Sequence, residues 1–231
     1  IYDVDVPREI SVLEDIKAAL KIRKIIKKEN PDVVYCHSSM AGAIGRIAVM
    51  GLGCKVIYNP HGWSFDMNVS STKKLFYRYL EKILAISTDK IITISEYEKR
   101  NALKNKICKD NKIEVILNGI DLDKCKSIRI EKTELGYKEK DFTIGCVARL
   151  SEQKDPLLFA DVAGHIARKY PDTRFVWVGD GELMEDFVKA LKKNNVFGKT
   201  TITGWVNNPY KYISVFDVAV LFSKWEGFGL C

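Results

Sequence analysis

The sequence predicts an α/β protein built on parallel sheets, and three observations predict it. Short apolar, β-rich runs alternate with stretches of helical periodicity along nearly all of the 231 residues. The connections are short, and the strand-like runs end on polar, glycine or histidine residues that open the next helical stretch. One polar, lysine-rich stretch without sustained periodicity, from Asp121 to Lys140, interrupts this rhythm. Its position divides the chain into a first domain at residues 1–121, a linker at 122–140 and a second domain at 141–231.

The elements of the first part follow in order. Ser11 to Asn30 places Leu13, Ile16, Leu20 and Ile26 at helical spacing, with lysines and Arg23 between them, and ends before Pro31. Such a basic amphipathic helix could lie on a membrane surface, but βα units need helices of this kind, so packing through that apolar stripe is expected. A strand from Val33 to Cys36 leads to His37-Ser38-Ser39 and a helix of small residues, Met40 to Gly51, suited to close packing on a sheet. The strand Lys55 to Asn59 ends at Pro60-His61-Gly62-Trp63. His37 and His61 therefore both fall just past the carboxyl ends of neighbouring parallel strands, where open α/β sheets bind ligands. Thr72 to Ser87 reads as a helix with Leu75, Phe76, Tyr79, Leu80, Ile83 and Leu84 on its core face and Lys73, Lys74, Arg78 and Lys82 on the other. A strand Lys90 to Ile94 meets Ser95, placed as an N-cap, and a strand Ile113 to Leu117 closes the first domain.

The second part repeats the pattern. Strand Phe142 to Val147 precedes helix Pro156 to Lys169, and strand Arg174 to Val178 precedes helix Glu182 to Lys193. Strand Thr200 to Thr203 precedes a short helix at Tyr210 to Val215, and Val218 to Phe222 is a last apolar strand. Two Rossmann-like domains facing each other across a cleft are the sum.

Composition narrows the function. The chain is 46% apolar, enough for a sizeable core. It carries 21 basic and 16 acidic residues up to Cys125, then 16 and 14, so the net charge of +7 lies mainly in the first part. That asymmetry suits an anionic membrane surface. No zinc-finger spacing, RRM-like aromatic run or basic zipper supports a nucleic-acid partner. The six cysteines form no C-x-x-C pair and mostly sit in apolar runs, so they read as reduced core residues rather than a disulfide frame or zinc site. No apolar stretch reaches the roughly 18 residues of a membrane span.

The chemistry is carried by Val147 to Asp155, where a strand stops at polar residues before the helix that Asp155-Pro156 opens. Arg149 and Lys154 then sit at the strand's carboxyl end, beside a helix N-terminus that favours anions. A planar fork and a point charge together suit a diphosphate. Gly179-Asp180-Gly181 follows another strand, but Met184 stands where a dinucleotide fingerprint needs its third glycine. A tight turn explains those glycines as well as a phosphate contact does. No G-x-S-x-G elbow, P-loop or His-paired acidic cluster is present.

Arg149-Leu150 with Lys154 resembles the G-R-L-x-x-x-K-G-like loop of the retaining family 4 glycosyltransferases of GT-B fold. Ser223 with Glu226-Gly227-Phe228-Gly229-Leu230 resembles the segment that opens their E-x7-E motif. His61-Gly62, Asn118-Gly119-Ile120-Asp121 and Gly179-Asp180-Gly181 extend the likeness over nearly the whole chain, with Ala148 and Asp155 standing where glycines are usual. The Cys36-His37-Ser38-Ser39 and Asn59-Pro60-His61-Gly62 segments resemble bacterial capsule and exopolysaccharide members.

The resemblance implies transfer of a sugar from a nucleotide-diphosphate donor, a UDP-sugar above all, to an acceptor hydroxyl with retention of configuration. It implies His61, Arg149, Lys154 and Glu226 as catalytic residues, and Arg149, Lys154, Gly179, Gly181, Glu226, Gly227, Phe228 and Gly229 as donor contacts. His37 and Ser38 would touch an acceptor glycan or lipid-linked sugar. No cofactor or metal is expected, since the two cations can take the place of Mg²⁺ against the diphosphate. The expected setting is cytoplasmic, peripheral on the inner membrane face. Two other readings stay open: a GT-B nucleotide-sugar epimerase, which needs no acceptor, and a sugar-nucleotide or glycan-binding module without turnover. Against the family pattern the chain reads as truncated at both ends, lacking a first strand and the second Glu of the E-x7-E motif, so it is expected to bind donor poorly by itself.

Overall fold

The computed structural model describes residues 1–6, 11–123 and 129–226. It contains two compact units, built chiefly of Ile1–Gly119 and Ile120–Lys224. Each unit holds one four-stranded sheet in which every pairing between strands is parallel.

In the first unit the strands β1 (Val33–His37), β2 (Lys55–Asn59), β3 (Lys90–Thr93) and β4 (Ile113–Val115) lie side by side in chain order. The helices are α1 (Val12–Glu29), α2 (Ser39–Val49), α3 (Ser71–Ile86) and α4 (Glu96–Lys104). Glycines let α2 approach closely: a Cβ on Gly42 would stand 2.4 Å from the Tyr58 ring, and one on Gly45 2.8 Å from Cys36 Sγ. α4 starts as its sequence dictates, with Ser95 Oγ accepting from Glu98 N at 3.2 Å and Glu98 Oε2 accepting from Ile94 N at 2.9 Å.

Two helices bury a different side from the one their hydrophobic pattern marks. In α1, Leu13, Ile16 and Leu20 are exposed, while Ala18, Ala19 and Ile26 are buried. At about 100° per residue, Ile26 lies some 120° around the helix from the Leu13–Ile16–Leu20 stripe, on the side of the alanines. α1 packs on α2, and its alanines suit a neighbour made of small residues.

In α3, Glu81, Leu84 and Ala85 face inward, while Leu75, Phe76, Tyr79, Ile83 and Ile86 face solvent. A polar network turns the helix this way. Arg46 of α2, fully buried, donates from Nη2 to Glu81 Oε2 at 2.9 Å and lies 3.6 Å above the Tyr58 ring. The Tyr58 hydroxyl donates to Glu81 Oε1 at 3.0 Å. Burial pushes the Glu81 carboxyl upward, against the pull of Arg46 and of both hydrogen bonds. A buried carboxylate needs such partners.

The second unit orders its strands β7-β6-β5-β8, from β5 (Phe142–Val147), β6 (Thr173–Val178), β7 (Thr200–Ile202) and β8 (Val218–Ala219). Its helices are α5 (Pro156–Lys169), α6 (Met184–Lys193) and the single turn α7 (Tyr210–Ile213). Phe159 of α5 centres the core, edge-on to Phe175, Trp177, Phe187 and Phe222. β8 is an edge strand shorter than the apolar run Val218 to Phe222, being ladder-paired only beside Ile144 and Gly145. Part of the stretch read as linker folds here. Tyr137 is buried, and its hydroxyl donates to Phe175 O at 2.8 Å and receives from Thr201 N at 3.1 Å.

Of the cysteines, Cys36, Cys54, Cys108 and Cys146 are free thiols, and Cys125 and Cys231 lie outside the described residues.

Candidate functional site

In the first unit the parallel register sets His37 of β1 beside Asn59 of β2. Asn59, almost fully buried, then acts twice. Its carbonyl accepts from Ser38 N at 3.0 Å, and its side-chain Oδ1 accepts from His61 N at 3.0 Å. The second bond is an Asx-turn, and it holds His61 in the left-handed region at φ 52°. As a result His61 Nε2 meets His37 Nδ1 at 2.9 Å, with the rings stacked 5.2 Å apart. Only one proton fits between those two nitrogens. Burial, and then the nearness of His37, press the His61 pKa below the ordinary histidine value. Both rings are exposed, and Ser38 is exposed beside them at the start of α2.

In the second unit β5 runs out at Val147 and the chain turns through Arg149, which is exposed, and Lys154, which is partly buried. Asp155 shows why the loop closes as it does. It sits at φ 46°, ψ 60°, the left-handed conformation that glycine adopts most readily. Aspartate tolerates it, and here its carboxylate also caps α5 by accepting from Leu158 N at 3.3 Å. The departure from the family's glycine therefore keeps the backbone path.

The glycines of the 179–181 loop have a packing role as built. A Cβ on Gly179, which has φ 142°, would stand 2.1 Å from Ala148 O, and one on Gly181 would stand 2.4 Å from Leu150 O. The loops are also stitched by Ala148 N to Val178 O, Leu150 N to Asp180 O and Leu183 N to Leu150 O, each at 3.0 Å. The N–H of Gly181 is taken by Asp180 Oδ1 at 2.7 Å. These glycines thus hold the Arg149 loop in place, and the tight-turn reading accounts for them without a ligand.

Lys224 ties the end of the described chain to the same loop, its N–H bonding Gln153 O at 2.8 Å and its Nζ lying 3.7 Å from Asp155 Oδ2. Ser151 and Ser223 each bury a hydroxyl oxygen without a partner among the described residues. Glu226 is partly buried in an irregular segment, and Gly227, Phe228 and Gly229 lie outside the described residues.

Sequence reasoning missed Asn59 and Trp205. The signal for the first was Asn-Pro-His-Gly, an Asx-turn sequence. Trp205 is 82% exposed just past β7, next to Gly204, which bridges Gly179. Trp205 thus follows the same end of the sheet as Arg149.

Each of the two parallel α/β units places its histidines or cations at strand carboxyl ends, where open α/β sheets bind ligands. The chain belongs to glycosyltransferase family 4: that family's sequence profile matches residues 3–124, and the profile of glycosyl transferases group 1 matches residues 141–231. The UDP-Gal:alpha-D-GlcNAc-diphosphoundecaprenol alpha-1,3-galactosyltransferase of Escherichia coli is 37% identical over 232 residues, covering 96% of this chain and 60% of that enzyme. Among solved structures, Anabaena Alr3699/HepE in complex with UDP superposes with TM-score 0.75 at 18% identity, over 93% of this chain and 59% of that one. Sucrose-phosphate synthase from Thermosynechococcus elongatus superposes with TM-score 0.80 at 16% identity, over 98% and 59%. The fold is that of the GT-B glycosyltransferases. The chain spans about 60% of the length of the curated relatives it matches.

Proposed function

We propose that the protein is a retaining glycosyltransferase that moves a sugar from a UDP-sugar to a hydroxyl of a lipid-linked sugar in the assembly of a bacterial surface polysaccharide. The observation that carries this reading is the Arg149–Lys154 loop, held at the carboxyl end of β5 by Gly179, Gly181 and the left-handed Asp155. The names of the relatives support it: one is a galactosyltransferase with a diphosphoundecaprenol-linked acceptor, and another is a capsular polysaccharide glycosyltransferase of Staphylococcus aureus.

Cleavage of the donor bond leaves an oxocarbenium-like sugar and a departing diphosphate. Preorganised cations lower that barrier because they meet negative charge as it develops. Arg149 and Lys154 supply them. His61 orients the donor sugar, and Glu226 accepts hydrogen bonds from its ring hydroxyls. Gly227, Phe228 and Gly229 continue the donor contact, while Trp205 stacks on the base. The leaving phosphate takes the acceptor proton on the face it departs from, which retains configuration. His37 and Ser38 serve the acceptor side. The two cations act as counterions to the diphosphate, so the scheme uses no metal or cofactor.

Among the described residues no helix is long and apolar enough to cross a membrane. The reading therefore places the protein peripherally, on the inner face of an anionic membrane where a lipid-linked acceptor is presented, drawn there by its basic first part. A thermal-shift screen of nucleotides and nucleotide sugars tests the donor, since a ligand that binds the folded state raises the melting temperature. UDP and one UDP-sugar should shift full-length protein, with transfer that depends on a lipid-linked acceptor. Conversion of the sugar without an acceptor, or binding without turnover, would overturn the reading.

A further inference from the structure

The loop that carries the diphosphate assignment is electrically balanced by itself. From Arg149 to Asp155 it holds two cations, Arg149 and Lys154, and two carboxylates, Glu152 and Asp155. An anion brought there meets repulsion as well as attraction, and both are felt within the Debye length of about 8 Å at physiological salt. Asp155 has a local reason to be acidic, since its carboxylate caps α5 by accepting from Leu158 N. The glycine usual at this place in the family brings no charge, so this chain gains a cap at a cost to anion binding.

One cation from outside the loop offsets that cost. Lys224, on the segment after β8, places Nζ 3.7 Å from Asp155 Oδ2 and 4.0 Å from Glu152 Oε1. Its own N–H donates to Gln153 O at 2.8 Å, so the lysine is fixed against the loop by its backbone as well as by charge. Its side chain is 40% exposed, and a pair so open to solvent adds little to stability. Its field at the loop is another matter, because every charge beside a bound anion adds to the potential that the anion feels. With Lys224 the group becomes three cations against two carboxylates. Its Nζ faces those carboxylates, which marks it as their counterion and not as a phosphate ligand.

We propose that Lys224 is a positioning residue of the donor site: it is the shared counterion of Asp155 and Glu152, and by offsetting them it lets the Arg149–Lys154 loop accept a diphosphate. Lys224 has this role only if the loop is the diphosphate site, as proposed above. The effect scales with the charge of the ligand, so it acts on the diphosphate and not on the nucleoside.

Calorimetric titration of the full-length protein with UDP and with uridine tests it, using wild type, Lys224→Gln, Lys224→Arg, and the triple variant Lys224→Gln/Glu152→Gln/Asp155→Gly. Lys224→Gln should weaken UDP about three- to tenfold at low salt, with the difference shrinking as salt rises, and should leave uridine unchanged. Lys224→Arg should bind UDP as wild type does, because the charge is kept. The triple variant, which has lost the carboxylates together with their counterion, should bind UDP at least as tightly as wild type. Equal UDP affinity of wild type and Lys224→Gln would overturn the proposal. So would an equal loss for UDP and uridine, which would mark a collapsed loop, or a loss of about a hundredfold that the triple variant does not recover, which would make Lys224 a direct phosphate ligand. Wild type that binds no UDP at all would instead remove the diphosphate reading itself, and this role of Lys224 with it.

Discussion

Removing Glu81 should cost the first unit more than any surface carboxylate would. In Glu81→Ala the Arg46 guanidinium stays fully buried, with Gly42 O at 3.1 Å from Nε as its remaining acceptor and Nη1 already without a partner among the described residues. The Tyr58 hydroxyl loses its carboxylate as well. Breaking one side of a buried ion pair costs about 3–5 kcal/mol, and the Tyr58 hydroxyl, which keeps Ser39 as a hydrogen-bond partner, adds less than the roughly 1–3 kcal/mol of a fully unpaired group. The two losses overlap, because both groups can relax into the vacated space, so about 3–5 kcal/mol is expected in total. With a urea m-value of about 2 kcal/mol/M, the unfolding midpoint of this unit should fall by about 1.5–2.5 M. Trp63, buried and edge-on to Tyr58 at 6.3 Å, places a fluorophore beside the network, and far-UV circular dichroism gives the second probe. Replacing the pair together, as Arg46→Met/Glu81→Leu, should recover most of the loss, since the charges then leave with their desolvation cost. A Glu81→Ala loss under about 1 kcal/mol, or a double variant as unstable as the single, would refute the argument that this pair orients α3.

Four more outcomes are expected. Arg149→Ala and Lys154→Ala should each lower turnover of the full-length enzyme by about 10²-fold or more, as loss of one oxyanion-type donor does, and wild-type rates in both would remove the diphosphate assignment. His61 should titrate below the ordinary histidine pKa by NMR, and His37→Ala should raise it part of the way, because burial remains. With the folded pKa the lower one, the linked stability is present above the ordinary histidine value and fades as pH falls through the folded pKa. Gly179→Ala drives a Cβ to 2.1 Å from backbone that cannot rotate away, so about 1–3 kcal/mol or more should be lost in urea unfolding of the second unit. Asp155→Gly should stay within about 1 kcal/mol of wild type, with relief at φ 46° offsetting the lost cap, whereas Asp155→Ala should lose measurably more in the same assay.

Much of the architecture was legible in the chain because strands and helices of an α/β unit announce themselves locally. β5 and α5 run over the residues that periodicity and the Asp155-Pro156 start marked, and Ser95 caps α4 as its spacing to Glu98 implies. The positions of Arg149, Lys154, His37 and His61 were legible too, since His37 closes β1 and the other three stand a few residues past a readable strand. Tertiary structure decided what distance along the chain hides. Hydrophobic spacing identifies which residues share a helix face but not which face turns inward. In α3 that was settled by Arg46 and Tyr58, 35 and 23 residues away, which drew Glu81 into the core and left the aromatic stripe outside. The same holds for the glycines of the 179–181 loop, where only the backbone of the neighbouring strand exit shows that their missing side chains make room for Ala148 and Leu150. Sequence alone determined the alternation, the strand-end residues and the family, because these depend on neighbours within a turn or two. Which surface each helix hides, and how His61 comes to meet His37, depend on contacts between distant segments, where a buried charge or a filled gap outweighs local pattern.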